Sequence, residues 1–264
     1  MKFLDENSLV SKDDFVKHSD SLLNYIKYLK EVTRNGYDYY ESSINLPLDK
    51  DLFSRVREIV ADKKTPGLKY VIVIGIGGSN LGTKAIYDAM CGYYDYIDQS
   101  RFPKMIFVDT NNPEFLNKLK TFLDENINLP EEIIVNVISK SGNTIETIAN
   151  ANILFSVLEK KIPGIIERFV VTTSNGSRLW DIAKNKEIST LAIPEKVGGR
   201  YSVFSAVGLF PLAMADINIT ALIDGANRMR DICLSDKIDD NYAIKSAIVL
   251  FESAKKGYGI NNNF

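Results

Sequence analysis

Three short segments of the chain combine glycine with hydroxyl-bearing or cationic side chains. They read GIGGSNLG at 75–82, SKSGNTIET at 139–147 and EKVGGRYS at 195–202. Glycine lets backbone amides approach a ligand without a Cβ in the way. Hydroxyl groups, amides and fixed cations are the groups that hold phosphate and other anions. Together the segments predict a site for an anionic substrate.

The middle segment is the strongest candidate for a phosphate site. It places the hydroxyl groups of Ser139, Ser141 and Thr144 within six residues and adds the cation of Lys140. Helix-start amides and hydroxyl groups form a natural phosphate cradle. A capping box, with Thr144 answered by Glu146, is the alternative interpretation. One capping hydroxyl is easily explained, but three with a lysine favour anion binding.

The first segment follows an apolar run, and we expect a helix to start near Ser79 with its free amides towards the loop. A dinucleotide fingerprint would need glycine at the position of Asn80, and a P-loop would need a lysine that is absent. An ordinary tight turn between strand and helix is the alternative.

The third segment ends in Arg200, which stays charged at any working pH. A surface salt bridge is the commonest role of an arginine. The preceding Gly198 and Gly199 argue against it, because they indicate close backbone contact where the cation is aimed.

These loops must be positioned by a regular framework, and the sequence contains one. Five short apolar runs alternate with helical stretches: KYVIVIG, KMIFVDT, EIIVNVIS, RFVVTTS and STLAI. Such alternation predicts an α/β fold with a doubly wound, mostly parallel five-stranded sheet. Ligands bind such sheets at the carboxyl ends of the strands, near a switch in strand order.

Helical patterns flank the predicted sheet on both sides. We predict a helical segment at 1–66, in which Asp49 caps a helix, an α/β domain at 67–217, and a helical region at 218–264. The small-residue helix FSAVGLFPLAMADI is expected to let the preceding loop rest on the sheet.

Composition excludes several classes of function. The net charge is −2, so bulk charge does not favour nucleic acid or an anionic membrane. No apolar run is long enough to span a bilayer. Cys91 and Cys233 lie far apart without metal-ligand spacing, which is typical of reduced thiols in a cytoplasmic protein.

Taken in order, GIGGSNLG, SKSGNTIET and GGRYSVFSAVGL resemble the glucose-6-phosphate isomerase (phosphoglucose isomerase) family. The middle segment alone indicates a sugar-isomerase (SIS) domain, which regulators and aminosugar enzymes share. The Gly-Gly-Arg-Tyr-Ser block is more specific. The resemblance covers the chain from about Tyr70 onwards and implies an SIS-type sheet.

The resemblance implies an intramolecular oxidoreductase of glycolysis and gluconeogenesis. It would interconvert glucose 6-phosphate and fructose 6-phosphate through a cis-enediolate, without metal or organic cofactor, as a homodimer when full length. Arg200 would be the catalytic residue that stabilises the enediolate. The substrate-binding residues implied are Gly78, Ser79, Ser139, Lys140, Ser141, Thr144 and Gly199.

The family also needs a glutamate and a histidine, which the resemblance does not find in this chain. The only histidine is His18, which we expect at the surface. The segment FESAKKG suggests Glu252 as a base, but we expect a solvated carboxylate in mid-helix. These gaps predict a partial sequence with a truncated second SIS-like domain and no activity alone.

Three other functions remain open at this point. A non-catalytic SIS-type sensor of sugar phosphates would need only the loops that are present. An aminosugar-phosphate isomerase would share the middle segment but not Gly-Gly-Arg-Tyr-Ser. A nicotinamide-dependent enzyme is disfavoured by Asn80.

Overall fold

The computed structural model describes residues 8–258, which fall into two compact units. One unit combines residues 8–47 with 223–258, and the other comprises residues 48–222. The helices are α1 (Lys12–Val32), α2 (Lys50–Lys63), α3 (Leu81–Cys91), α4 (Pro113–Asn126), α5 (Ile145–Lys161), α6 (Arg178–Asn185), α7 (Ala206–Met214), α8 (Ile219–Cys233) and α9 (Tyr242–Lys255). The strands are β1 (Tyr70–Ile74), β2 (Lys104–Val108), β3 (Ile133–Ile138), β4 (Phe169–Thr173) and β5 (Ser189–Ala192).

The five strands form one sheet in the order β2-β1-β3-β4-β5, and every neighbouring pair is parallel. The prediction of a doubly wound five-stranded sheet is therefore confirmed, with no antiparallel strand in it. From β1 the chain moves outwards to β2, and from β3 it moves in the opposite direction. The order thus switches between β1 and β3, where such folds leave a crevice at the carboxyl ends of the strands.

Helices cover both faces of the sheet, which explains why its strands are apolar throughout. On one face, alternate residues of β1, β3 and β4 pack with apolar residues of α4, α5 and α6. On the other face, α7 contacts β1 and also packs against α2 and α3. All six residues of β3 are buried, as expected for a central strand between two helical layers.

The start of α3 lies later than the sequence indicated. A 3₁₀ turn at Gly77–Ser79 comes first, and the α-helix begins at Leu81. Gly77 has a φ of +58°, a left-handed conformation that costs glycine little. The apolar periodicity that predicted the helix cannot distinguish such a turn from a first helical turn.

In the unit formed by 8–47 and 223–258, α1 packs against α9 around Ile26, Ile244 and Ile248. His18 Nε2 lies 2.6 Å from Glu252 Oε1, and Lys255 Nζ lies 2.9 Å from the same oxygen. The expectation of a solvated Glu252 was wrong, because this residue is only 5% exposed. Hydrogen bonds from Lys255 and His18 hold the pKa of Glu252 below its usual value.

Every helix within residues 8–258 is too short or too polar to span a lipid bilayer.

Candidate functional site

The loops after β1 and β3 start in direct contact. A Cβ placed on Gly75, which follows β1, would lie 2.8 Å from Ser79 Cβ and 3.1 Å from the carbonyl oxygen of Ile138. Ile138 is the last residue of β3, and the two strands are neighbours in the sheet. Two of the three predicted segments therefore lie on either side of the switch point.

The third segment is joined to the first by backbone contact. A Cβ on Gly78 would lie 2.3 Å from the carbonyl carbon of Gly199, so only glycine fits there. Ser202 Oγ is placed to bond both glycine carbonyls, at 3.2 Å from Gly78 O and 2.8 Å from Gly199 O. The close contact expected at Gly199 exists, but its partner is Gly78. These glycines hold one loop against the other, which places Arg200 next to the β1 loop.

Arg200 is exposed. Among residues 8–258 its guanidinium makes no hydrogen bond and no ion pair. The surface salt bridge that was the alternative interpretation is therefore absent from the described part of the chain. A cation that no carboxylate neutralises remains available to an anionic ligand.

The segment from Ser139 to Thr144 forms a compact loop after β3. Ser139 is 1% exposed, and its Oγ lies 2.8 Å from Thr144 Oγ1. Ser141 is exposed, and its Oγ accepts a hydrogen bond from the Asn143 amide at 3.2 Å. Lys140 is half-buried and has no ion pair within residues 8–258. The loop therefore presents a hydroxyl group and a cation that the fold does not neutralise.

The start of α5 has no side-chain cap. Thr144 occupies the N-cap position, but its hydroxyl group bonds Ser139 and not the helix backbone. The capping box considered from the sequence is therefore not formed. Uncapped amides at a helix start attract anions, because the helix dipole adds partial positive charge there.

The start of α3 shares this property. Asn80 is the N-cap residue but makes no capping bond, and both of its side-chain amide atoms are buried without a partner in the described chain. The other helices between residues 8 and 258 begin with a side chain that bonds the helix backbone: Ser11, Asp49, Asn112, Ser177, Ser205, Asn218 and Asn241. The two uncapped helices are those that follow the strands at the switch point.

The structure therefore brings together the loops that contain all eight predicted site residues. Sequence reasoning treated Asn80 only as an interruption of a fingerprint and missed that it is a buried polar group at the crevice. A polar residue directly after Gly-Gly-Ser at a helix start was the available signal. Within residues 8–258 no three His, Cys, Asp or Glu side chains are grouped so that they could hold a metal ion.

A model of the phosphoglucose isomerase family matches residues 50–259 of the chain. The chain is 34% identical, over 85% of its length, to the probable glucose-6-phosphate isomerase of Methanococcus maripaludis, of which it covers 48%. It is 33% identical to the glucose-6-phosphate isomerase of Staphylococcus saprophyticus over 98% of its own length and 56% of that protein. The chain thus spans about half the length of the curated relatives that it matches.

Solved structures show the same likeness. A hypothetical protein of Thermus thermophilus superposes with a TM-score of 0.75 at 28% identity, over 91% of this chain and 54% of its own. A glucose-6-phosphate isomerase of Chlamydia trachomatis superposes with a TM-score of 0.62 at 25% identity, over 81% of this chain and 39% of its own. The family resemblance that the three glycine-containing segments indicated is thereby confirmed. The chain belongs to the phosphoglucose isomerase family.

Proposed function

We propose that this chain supplies the phosphate-binding and charge-stabilising part of an isomerase that interconverts glucose 6-phosphate and fructose 6-phosphate. The observation that supports this most is the uncapped start of α5, which follows a loop with an unneutralised Lys140. A helix start that is left open by its own N-cap residue is a ready anion site. The names of the relatives indicate which anion to test first.

In this proposal the phosphate of the substrate lies on the loop after β3. Ser141 and Thr144 offer hydroxyl groups, Lys140 offers a cation, and Ser139 shapes the loop through its bond to Thr144. A hydrogen bond to a charged group contributes about 1.5–3 kcal/mol. Several such bonds would bind a phosphate dianion firmly and leave the sugar free to extend along the crevice.

Gly78 and Ser79 would face the sugar, and Gly199 and Arg200 would lie at the reacting carbons. Moving a proton between C1 and C2 leaves negative charge on oxygen in the enediolate. A fixed cation at that oxygen lowers the barrier, and the loss of one such donor costs about 2.7–4 kcal/mol. Arginine suits this role because it keeps its proton and does not compete as an acid.

We also propose that the 264-residue chain binds a hexose phosphate without converting it. Neither His18 nor Glu252 matches the family's histidine and glutamate, and the two side chains are bound to each other. Arg200 can stabilise an enediolate but cannot create one. Catalysis in the cytoplasm, as a step of glycolysis or gluconeogenesis and as a homodimer, belongs to this proposal for the longer protein.

Calorimetric titration of the chain with fructose 6-phosphate, glucosamine 6-phosphate and NAD tests the proposal. We expect fructose 6-phosphate to bind, and Lys140→Ala to weaken it about tenfold through the loss of a charged hydrogen bond. Lys120→Ala, at an exposed position on α4, is the matched control and should leave the affinity unchanged. Tight binding of NAD with no binding of sugar phosphates would contradict the proposal.

A coupled assay for glucose 6-phosphate formation tests the absence of turnover. The chain should show no rate above that of buffer. Turnover that disappears in Arg200→Ala would show that a base is present in this chain, contrary to the proposal.

A further inference from the structure

The turn after β4 supports the phosphate-binding loop from below. Thr173, the last residue of β4, is fully buried, and its Oγ donates a hydrogen bond to the Ser139 carbonyl at 2.6 Å. The same hydroxyl group lies 3.4 Å from the Lys140 carbonyl, to which the Ser174 amide donates at 3.1 Å. Both carbonyls of the loop are therefore turned towards β4.

The orientation of these carbonyls determines where the neighbouring amides point. A trans peptide is planar, with its carbonyl and its N–H on opposite sides. With the carbonyls of Ser139 and Lys140 facing β4, the amides of Lys140 and Ser141 face away from it. Neither amide has a hydrogen-bond partner among residues 8–258. Successive free amides of this kind form an anion-binding concavity.

Ser177 fixes the direction of the hydroxyl group on Thr173. The two hydroxyl oxygens are 2.9 Å apart, and Ser177 Oγ accepts the Trp180 amide at 3.2 Å as the cap of α6. The proton of Thr173 is committed to Ser139, so Ser177 donates to Thr173. A Cβ on Gly142 would lie 2.7 Å from Ser177 Oγ, which shows how closely the loop fits this turn.

We infer that Thr173 is a positioning residue, which holds the peptide groups after Ser139 and Lys140 so that their amides face the substrate phosphate. This inference rests on the proposed function, because it assigns Thr173 no contact with the substrate. Thr173→Val removes the hydroxyl group at nearly constant volume, and Thr173→Ser keeps it.

The chain contains a matched control in the preceding residue. Thr172 is also fully buried, and its Oγ accepts a hydrogen bond from Asn136 Nδ2 at 2.9 Å. Its side chain has no bond to the phosphate-binding loop in the described structure. Thr172→Val therefore removes one buried hydroxyl group from the same strand without releasing the loop.

The test measures the dissociation constants of fructose 6-phosphate and inorganic phosphate by calorimetry, with urea unfolding of each variant alongside. We expect Thr173→Val to weaken both ligands about tenfold, since one buried hydrogen bond is worth about 1 kcal/mol and its loss frees two peptide groups. Thr173→Ser should stay within about twofold of the unchanged chain. Thr172→Val should lose stability and keep its affinity.

Equal affinities in Thr173→Val and the unchanged chain would overturn the inference while leaving the proposed function in place. Equal losses in Thr173→Val and Thr172→Val would overturn it too, because they would reflect general destabilisation. Failure of the unchanged chain to bind either ligand would instead contradict the proposed function, and the inference with it. If Thr173→Val does not fold, Ser177→Ala should weaken binding about twofold to threefold, and an unchanged affinity there would count against the inference.

Discussion

The two ends of the sheet treat their charged residues in opposite ways. At the amino end of β2, the guanidinium of Arg101 binds the carboxylate of Asp95, and its Nη2 lies 2.6 Å from Tyr87 Oη. Lys104 donates to the backbone carbonyls of Asp95 and Asp98. Each charged group in this cluster thus has a partner supplied by the fold.

Beside it, before β1 and β3, Lys69 pairs with Glu132 at 2.5 Å. Glu132 also accepts from the Asn128 and Leu129 amides, at 2.7 and 3.1 Å. At the carboxyl end of the same strands, Lys140 and Arg200 are left unpaired within the described residues, and the starts of α3 and α5 are uncapped. A fold that satisfies charge at one edge and withholds partners at the other separates stability from binding.

The largest effect that tests this comparison is expected at the paired end. Asp95→Ala leaves Arg101 and Lys104 without their carboxylate, and breaking a buried pair costs about 3–5 kcal/mol. Urea unfolding should show a loss near the lower limit, because Arg101 is partly exposed. Asp98→Ala is the control, because the Asp98 side chain bonds only Ser100 in the described structure. An unchanged midpoint in Asp95→Ala would show that the pairing does not stabilise the fold.

The second effect concerns the contact that holds Arg200 in place. Gly78→Ala puts a Cβ 2.3 Å from Gly199, so the two loops must separate. Overpacking of this kind costs about 1–3 kcal/mol, and the affinity for fructose 6-phosphate should fall as well. Gly225→Ala, in α8 with open space around it, should stabilise the chain by about 0.4–1 kcal/mol. Equal unfolding energies for the two variants would contradict the packing described here.

A third effect should separate binding from stability at the unpaired end. Arg200→Ala should change the free energy of unfolding by less than about 0.5 kcal/mol, because an exposed side chain without partners is removed. Its affinity for 5-phosphoarabinonate, an acid that mimics the enediolate, should fall at least tenfold, as expected for the loss of one charged hydrogen bond. A clear loss of stability in this variant would place Arg200 with the structural charges, and the comparison would fail.

The smallest effect is expected from acid. The Arg101 guanidinium holds the pKa of Asp95 below its ordinary value, and burial opposes this only in part. A lowered carboxyl pKa contributes stability that is present above the ordinary value of about 3.9 and is lost as pH falls through the folded value. Urea unfolding at about pH 6 and about pH 3, on either side of that value, should show that Asp95→Asn loses less stability on acidification than the unchanged chain. Parallel losses in both proteins would exclude Asp95 as a source of acid sensitivity.

Much of the framework could be predicted from local patterns. The five β-branched runs became the five strands, and Asp49 caps α2 through the Leu52 amide at 2.8 Å. The small residues after Gly199 also serve as expected, because a Cβ on Gly208 would lie 2.1 Å from the Val203 carbonyl oxygen. These features depend on residues close in sequence, so spacing and residue type were sufficient.

The burial of Glu252 and the role of Thr173 could not be predicted in this way. Glu252 is buried because α9 packs against α1, which brings His18 to it from the other end of the chain. Thr173 resembles any other strand residue until the sheet order places β4 beside β3. In both cases the partner is distant in sequence, and no local pattern encodes which surfaces will meet.

By itself, the sequence determined the strands and helices, the family and the hydroxyl-rich loop with its lysine, because backbone conformation and helix starts follow local residue chemistry. Only the tertiary structure decided that the order of strands switches between β1 and β3, that Gly78 packs on Gly199, and that α3 and α5 begin without caps. These features depend on contacts between distant segments, and it is these contacts that leave Lys140 and Arg200 without partners at one edge of the sheet.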